Sequence, residues 1–441
     1  MSEDRASEFD SMRALARQVF LDTLREIGIP NIFGKKVEYS RGVLRVEQDL
    51  YDLGSYARVL VVSIGKAAHT MLDSLIAQTG PGLEGIVVAP HLPESQHSGF
   101  RYFIGGHPLP NAESVSAAQA ILKCLSGLHE HTLVLYLISG GASALVEVPR
   151  YEKISLDDLI ETYRILVHSS ATIGEINAIR KHLSAIKGGR LAQAAYPARQ
   201  VSIMVSDVPE NALDALASGP TMPDSSTIGD CYRIAEQHGL TAQFPESVCR
   251  IFAGCLLDET PKADDAIFVS SRWWPILSSA SAADAAGALL AKHGFAVEID
   301  NTPDDWPCER AADYLLNRLR ELRKGVSRVA LISAGEITLK VPAGAGIGGR
   351  NQHFVLYCAQ QIAGENICVL SGGTDGIDGD SPAAGAIADG TTLEHARNAG
   401  MNPEIELRKF NAFRVFDTTG DAIITGPTGN NVRDLRLLLA S

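Results

Sequence analysis

The sequence of 441 residues has little that would organise a secreted scaffold or a metal cluster. Its seven cysteines are odd in number and show no C-x-x-C spacing, which argues against a disulfide framework and a zinc knuckle. No apolar run approaches the ~18 residues of a membrane span. The start, MSEDRASEFDSMRALARQVF, is charged and lacks the apolar stretch of a secretory signal. Positive charge is scarce as well: 39 Lys and Arg against 52 Asp and Glu give a formal net charge of −13. General binding to nucleic acid or to an anionic membrane is therefore not expected, and basic sites must be local. Also missing are G-x-x-x-x-G-K-[ST], H-E-x-x-H and G-x-S-x-G, the marks of a Walker A loop, a zincin site and a hydrolase elbow. The expectation is a cytoplasmic globular protein.

What is present is ordinary in bulk and uneven in detail. At 45% hydrophobic and 21% charged residues, with mean hydropathy +0.04, the chain has apolar material for two or three domains. Apolar residues at helical spacing (Leu15, Val19, Phe20, Leu24, Ile27) predict a helix over 11–27 that caps a domain from outside. One pattern then recurs: a short β-branched run, a turn of small residues, and helix-like sequence. The runs 59–64, 133–138, 201–205, 329–332 and 367–370 lead into Gly65-Lys66, Ser139-Gly140-Gly141, Ser206-Asp207, Ser333-Ala334-Gly335 and Ser371-Gly372-Gly373; near the end 422–424 leads into Thr425-Gly426. Continuous apolar runs suit parallel strands buried on both faces, and alternation with helices reads as α/β. Polar turns then gather at the carboxyl ends of the strands, where open parallel sheets bind ligands. The loosely patterned stretch 237–260, with Pro245 and Pro261, reads as a connection. It divides the chain near 245 into domains 1–245 and 246–441, with 425–441 free to return to the first.

Six segments carry candidate chemistry. Lys66 falls at the first turn of a helix over 67–78, where a cation is unfavourable unless it shares an anion with the positive helix end; the alternative is a lysine turned to solvent. Ser139-Gly140-Gly141-Ala142-Ser143 can aim backbone N–H groups and two hydroxyls at an anion, or be a plain strand-to-helix turn. In E-I-N-A-I-R-K-H-L-S-A-I-K-G-G-R, starting at Glu175, a polar stripe of Asn177, Lys181 and Ser184 opposes an apolar one, as an active-site wall or a solvated face. Asp207 caps a turn, or becomes chemical if other acids lie near. Asp375, Asp378 and Asp380 supply acids between glycines without calcium-loop spacing; magnesium shared with substrate phosphates needs only one or two carboxylates. Finally, Gly344-Ala345-Gly346-Ile347-Gly348-Gly349-Arg350-Asn351 contains a formal G-x-G-x-x-G, followed at once by a guanidinium suited to phosphate or carboxylate.

Together these segments resemble one family. GKAA at Lys66, GGHPLPNAES from Gly105, LISGGASAL from Leu137 and EINAIRKHLSAIKGGRLA from Glu175 resemble the glycerate 2-kinase family. So do SDVPENALDALASGPTMPD from Ser206, GGRNQHF from Gly348, TDGIDG from Thr374 and TGPTGNNV from Thr425. The C-terminal module of this family is called MOFRL, and some members carry an older label as hydroxypyruvate reductases. The resemblance implies a Rossmann-like parallel-sheet domain followed by an α/β MOFRL domain, with the active site in the cleft. It implies ATP as donor, Mg²⁺ as ion, D-glycerate as acceptor, and Lys66 and Arg350 as the residues implicated in catalysis. Departures are mild: Ala142, Glu210-Asn211 and, within Ser333-Ala334-Gly335-Glu336, Ala334 stand where the family often has other residues.

Within that frame Lys66 and Arg350 would converge on the γ-phosphate. Asp207 and Asp375 would coordinate Mg²⁺ or orient the acceptor hydroxyl. Ser139, Gly140, Gly141, Ser143, Gly346, Gly348, Gly349 and Asn351 would bind the nucleotide, and Asn177, Lys181 and Glu336 the acceptor. Two other readings stay open: an NAD(P)H-dependent reductase acting on hydroxypyruvate, resting on the formal glycine pattern, and a non-enzymatic sensor of sugar acids. A homodimer is one option for the assembly.

Overall fold

The most apolar run in the chain becomes the centre of a sheet because helices shield it from both sides. A computed structural model describes residues 3–441, with residues 3–8 and 210 described by backbone alone. Two units emerge, Ile32–Ile276 (the first) and Met1–Asn31 with Leu277–Ser441 (the second). The first begins with an antiparallel meander, β1 (Val37–Ser40), β2 (Val43–Val46) and β3 (Asp49–Asp52). Its main sheet holds β4 (Arg58–Ile64), β5 (Glu84–Ala89), β6 (Phe100–Ile104), β7 (Thr132–Ile138), β8 (Arg199–Val205) and β9 (Ser271–Leu277), in the order β6-β5-β4-β7-β8-β9. From β6 to β8 all pairings are parallel. Every residue of β7 is buried. Its Val134 and Tyr136 share a core with Ala117, Ala118 and Ile121 of the helix Ala112–Leu125.

This topology positions the turns. The chain runs outward from β4 through β5 to β6, then returns to place β7 on the other side of β4. The β4/β7 crevice is thus a topological switch point, where open parallel sheets bind ligands. Ile64 pairs with Ile138 and Ile138 with Met204. The three strands therefore end nearly level, and Gly65-Lys66, Ser139-Gly140-Gly141 and Ser206-Asp207 emerge side by side.

The second unit corrects the sequence reading. Its sheet contains β10 (Ala296–Ile299), β11 (Val329–Ala334), β12 (Ile367–Gly373), β13 (Gly385–Asp389), β14 (Ala422–Ile423) and β15 (Asp434–Ala440), in the order β10-β11-β15-β12-β13-β14. Only β10–β11 is parallel; β15 runs antiparallel between β11 and β12, and β12–β13 and β13–β14 are antiparallel too. Its runs are continuous because both faces are covered, not because the strands are parallel. The helices Cys308–Arg323 and Arg350–Gln361 cover one face; Glu3–Glu26 and Ser279–Lys292 cover the other.

The segment 425–441 thus completes the second unit's own sheet, and the N-terminal helix packs there as well. The division lies at Ile276/Leu277 rather than near 245. The stretch 237–260 is folded rather than a connection: Leu240, Phe244, Val248, Ile251 and Phe252 enter a first-unit core with Leu159 and Ile179. No helix among the described residues is long and apolar enough to cross a membrane.

Candidate active site

In the first unit the backbone builds a corner around Lys66. The Lys66 N–H donates to the Gly140 carbonyl at 2.9 Å, and the Ala67 N–H donates to Ser139 Oγ at 3.0 Å. Buried Ser139 therefore ties the lysine turn to the glycine turn. The Lys66 side chain is exposed. It passes over Gly141 beside His107: a Cβ added at Gly141 would lie 3.1 Å from Lys66 Cγ and 3.2 Å from His107 Cδ2. Burial, and then the Lys66 charge, hold the His107 imidazole below its usual range. From β8, Asp207 reaches the same corner. A Cβ at Gly140 would sit 2.0 Å from Asp207 Oδ2, so only glycine admits this carboxylate. The structure thus brings together Lys66, Gly140, Gly141 and Asp207, and adds His107, which the sequence left without a role.

Beside Gly141 and Ser143 opens a cavity of about 390 Å³ that also takes in His107, Tyr163 and Arg180. Ser143 faces it with its hydroxyl 3.1 Å from that of Ser218, while its carbonyl accepts from Lys187 Nζ at 2.8 Å. The expected polar stripe behaves differently. Lys181 is buried and paired with Asp214 at 3.0 Å and Asp224 at 3.1 Å, so it supports the fold and cannot serve the acceptor. Ser184 donates to Glu147 Oε1 at 2.6 Å. Asn177 is half-buried and does not line this cavity. Arg180, one position before Lys181, does line it.

In the second unit Arg350 opens the helix Arg350–Gln361. Its Nε and Nη2 donate to Asp434 Oδ2 and Oδ1 at 2.6 and 3.1 Å, and Nη2 lies 2.8 Å from Glu336 Oε1. Burial works against the guanidinium charge, but the bonds to Asp434 and the charge of Glu336 outweigh it and raise its pKa further. Glu336 is held above the usual carboxylate range by burial, with Arg350 opposing. Among the described residues no bond uses Arg350 Nη1. A cavity of about 550 Å³ collects Glu336, Gly348, Gly349, Arg350, Asp375 and Asp378.

The glycine-rich loop is not a free cradle. The Gly346 N–H donates to the Lys409 carbonyl at 2.9 Å, that of Ile347 to Asn411 Oδ1 at 3.0 Å, and that of Gly348 to Asp380 Oδ1 at 3.0 Å. The helix end is filled as well. Asp378 Oδ1 accepts from the Asn351 N–H at 3.0 Å, and Oδ2 from the Gln352 N–H at 2.8 Å and its Nε2 at 2.9 Å. A Cβ at Gly349 would lie 2.2 Å from Asp378 Oδ1. The site expected to receive phosphate thus already holds a carboxylate, pushed up to about 6 by burial against those bonds. Asn351 is buried, taking a 2.5 Å bond from Ser371 Oγ; it braces the Asp378 loop and is not placed to meet a nucleotide. Asp375 lines the cavity while its Oδ1 accepts the Ile377 N–H at 3.0 Å.

Sequence reasoning missed Asp434 and Arg180. Asp434 lies 84 positions from its arginine, and no local spacing announces it. Arg180 was visible in the quoted segment but fell between the stripe positions.

Comparison with known proteins adds a separate line of support. Residues 15–253 match a family described as a domain of unknown function (DUF4147), and residues 329–434 match the MOFRL family. The chain is 36% identical over 385 residues to D-glycerate 2-kinase of Thermotoga maritima, covering 86% of this chain and 89% of that protein. It is 32% identical over 391 residues to glycerate 2-kinase of Pyrococcus horikoshii, covering 87% and 88%. A crystal structure of glycerate kinase from Thermotoga maritima is similar with a TM-score of 0.86 at 32% identity, over 98% of this chain and 100% of that one.

Proposed function

The chain belongs to the glycerate 2-kinase family, built of a DUF4147 and a MOFRL part, and from that premise we propose that it transfers the γ-phosphate of ATP to the 2-hydroxyl of D-glycerate. The observation that carries this reading is the Lys66 corner. An exposed ammonium, two glycines and a carboxylate meet at a sheet's switch point, beside a cavity sized for a small molecule.

Phosphoryl transfer leaves a protein little covalent work; it positions the partners and stabilises charge on the moving group. Lys66 supplies that charge in the first unit, and the Gly140-Gly141 backbone approaches closely because no side chain intervenes. Asp207 orients the acceptor hydroxyl and can take its proton. In the second unit Arg350 is the cation assigned to phosphate, with Asp434 and Glu336 holding its plane and Nη1 left to bind. Asp375 is the second unit's carboxylate for the reaction.

The residues fit magnesium. Asp207 in the first unit and Asp375 in the second each offer hard carboxylate oxygens, and the described residues include no group of three or more His, Cys, Asp or Glu arranged for an ion. A single such carboxylate suits a cation held jointly with nucleotide phosphates. When bound, the ion would neutralise phosphate charge.

Incubation with ATP, Mg²⁺ and D-glycerate, followed by phosphorus NMR, tests the reading. The expected product couples its phosphorus to the single C2 proton. Coupling to the C3 methylene would overturn the choice of hydroxyl. Activity should vanish in excess chelator and return, at least in part, with Mn²⁺; full turnover of metal-stripped protein would rule out the ion.

A further inference from the structure

The cavity beside Gly141 has a surplus positive charge at its wall. Arg180 stacks its guanidinium 4.9 Å from the centre of the Tyr163 ring. The nearest acid behind it is Glu147, and its oxygens are already engaged. Oε1 accepts from the Val148 N–H at 2.9 Å and from Ser184, while Oε2 accepts from Tyr163 Oη at 2.7 Å and pairs with Lys187. One buried carboxylate thus faces two cations, and Lys187 takes its bond. Arg180 forms no ion pair with a described residue, and its Nε is buried without a hydrogen-bond partner. Burial lowers its pKa, with Tyr163 and Glu147 opposing, yet a guanidinium stays charged. Among the described residues no carboxylate lines the cavity, and Arg164 stands on its rim. A half-buried fork-shaped donor with an open edge calls for a planar oxyanion.

We propose that this cavity holds the carboxylate of the acceptor and that Arg180 anchors it, making Arg180 the residue that selects hydroxy acids over neutral polyols. The inference rests on the kinase reading for the identity of the acid. Gly141 joins the two places: it lines the cavity on one side and lies under the Lys66 chain on the other. An acid held on Arg180 therefore presents its hydroxyl toward the lysine corner. A nucleotide's phosphates share the oxyanion chemistry, but the walls of Pro108, Leu109 and Val167 suit a short carbon chain better than a triphosphate. Lys187 and Glu147 act at one remove, because Lys187 holds the Ser143 carbonyl and Glu147 fixes Tyr163 under the guanidinium.

The test compares Arg180→Gln and Arg180→Lys with the unaltered protein. Arg180→Gln should raise KM for D-glycerate about 10- to 100-fold, the effect of losing a charged hydrogen bond, with KM for ATP unchanged. It should also erase the preference for D-glycerate over its neutral amide, glyceramide. Arg180→Lys keeps a cation over Tyr163 and should raise KM for D-glycerate by a smaller factor, which preserves the test if the glutamine variant does not fold. A rise in KM for ATP with that for D-glycerate unchanged would place phosphate there and overturn the proposal. Calorimetric titration of D-glycerate without nucleotide separates this from the kinase reading. Binding lost in Arg180→Gln supports the site even if the unaltered protein phosphorylates nothing. Turnover of D-glycerate with unchanged KM in Arg180→Gln refutes the site and leaves the kinase standing.

Discussion

The Lys66 and Arg350 corners look alike as sequence, a cation beside glycine in each, but they are built in opposite ways. Around Lys66 the backbone is pinned and the side chain is exposed. Around Arg350 the side chain itself is pinned, by two bonds to a buried Asp434 and a third contact to Glu336. A cation held by carboxylates is part of the fold whatever its chemistry. On the proposed reading, removing Lys66 should subtract only function, whereas removing Arg350 should also leave a buried acid short of its partner.

The largest expected effect sharpens that contrast. Lys66→Ala should lower kcat about 10²- to 10³-fold, as when an enzyme loses one donor that stabilises transition-state charge, with the melting temperature unchanged. Arg350→Ala should lower kcat by a similar factor and also destabilise the protein by about 1–3 kcal/mol, the cost of an unsatisfied buried group. Arg350→Lys should recover part of the stability and little of the rate, because an ammonium lacks the planar fork. If the two cations act as one unit, the double alanine variant should lose far less than the product of the single losses. Kinetics and thermal melts on the same preparations check all four. An Arg350→Ala protein that melts like the parent would dissolve the distinction.

Asp375 gives a smaller, cleaner effect. Asn at this position keeps an oxygen for the Ile377 N–H while removing the charge. A strong fall in kcat with an unchanged melt would assign Asp375 to the metal or the acceptor; a near-normal rate would leave it as a turn former.

How much of this was legible in the sequence depends on range. Runs 59–64 and 133–138, with the turns after them, led directly to β4, β7 and the Lys66 corner, because a buried parallel strand and its turn are local features. The second sheet was not legible as antiparallel, since a strand covered on both faces, such as β15, reads the same in either direction. Partners were least visible. Lys181 and Arg180 are neighbours on one helix, and spacing favoured the former. Asp214 and Asp224 neutralise Lys181, however, while the Glu147 that could neutralise Arg180 is taken by Lys187. Likewise the glycines at 344–349 matched a nucleotide pattern, but Lys409, Asn411 and Asp380 claim the N–H groups of Gly346, Ile347 and Gly348.

The smallest effect is electrostatic and confined to the first unit. Burial favours protonation of Glu259, but Lys262, His182 and the N–H groups of Ile228 and Thr260 outweigh it and hold the carboxyl at about 2, against an ordinary 4.5. Its folded pKa is depressed, so its contribution is complete above about 4.5 and lost as pH falls toward 2. Because the side chain is partly exposed, the gain is small. The difference in melting temperature between the parent and Glu259→Gln should shrink on acidification; a gap that widens would reverse the sign.

The central claim is phosphoryl transfer, and one head-to-head assay tests it. The purified protein is given ATP, Mg²⁺ and D-glycerate in one cell, and NADH or NADPH with hydroxypyruvate in another. ADP and phosphoglycerate should appear in equal amounts in the first, with no oxidation of either dinucleotide in the second. Oxidation of NADH or NADPH without any phosphoglycerate would contradict the account.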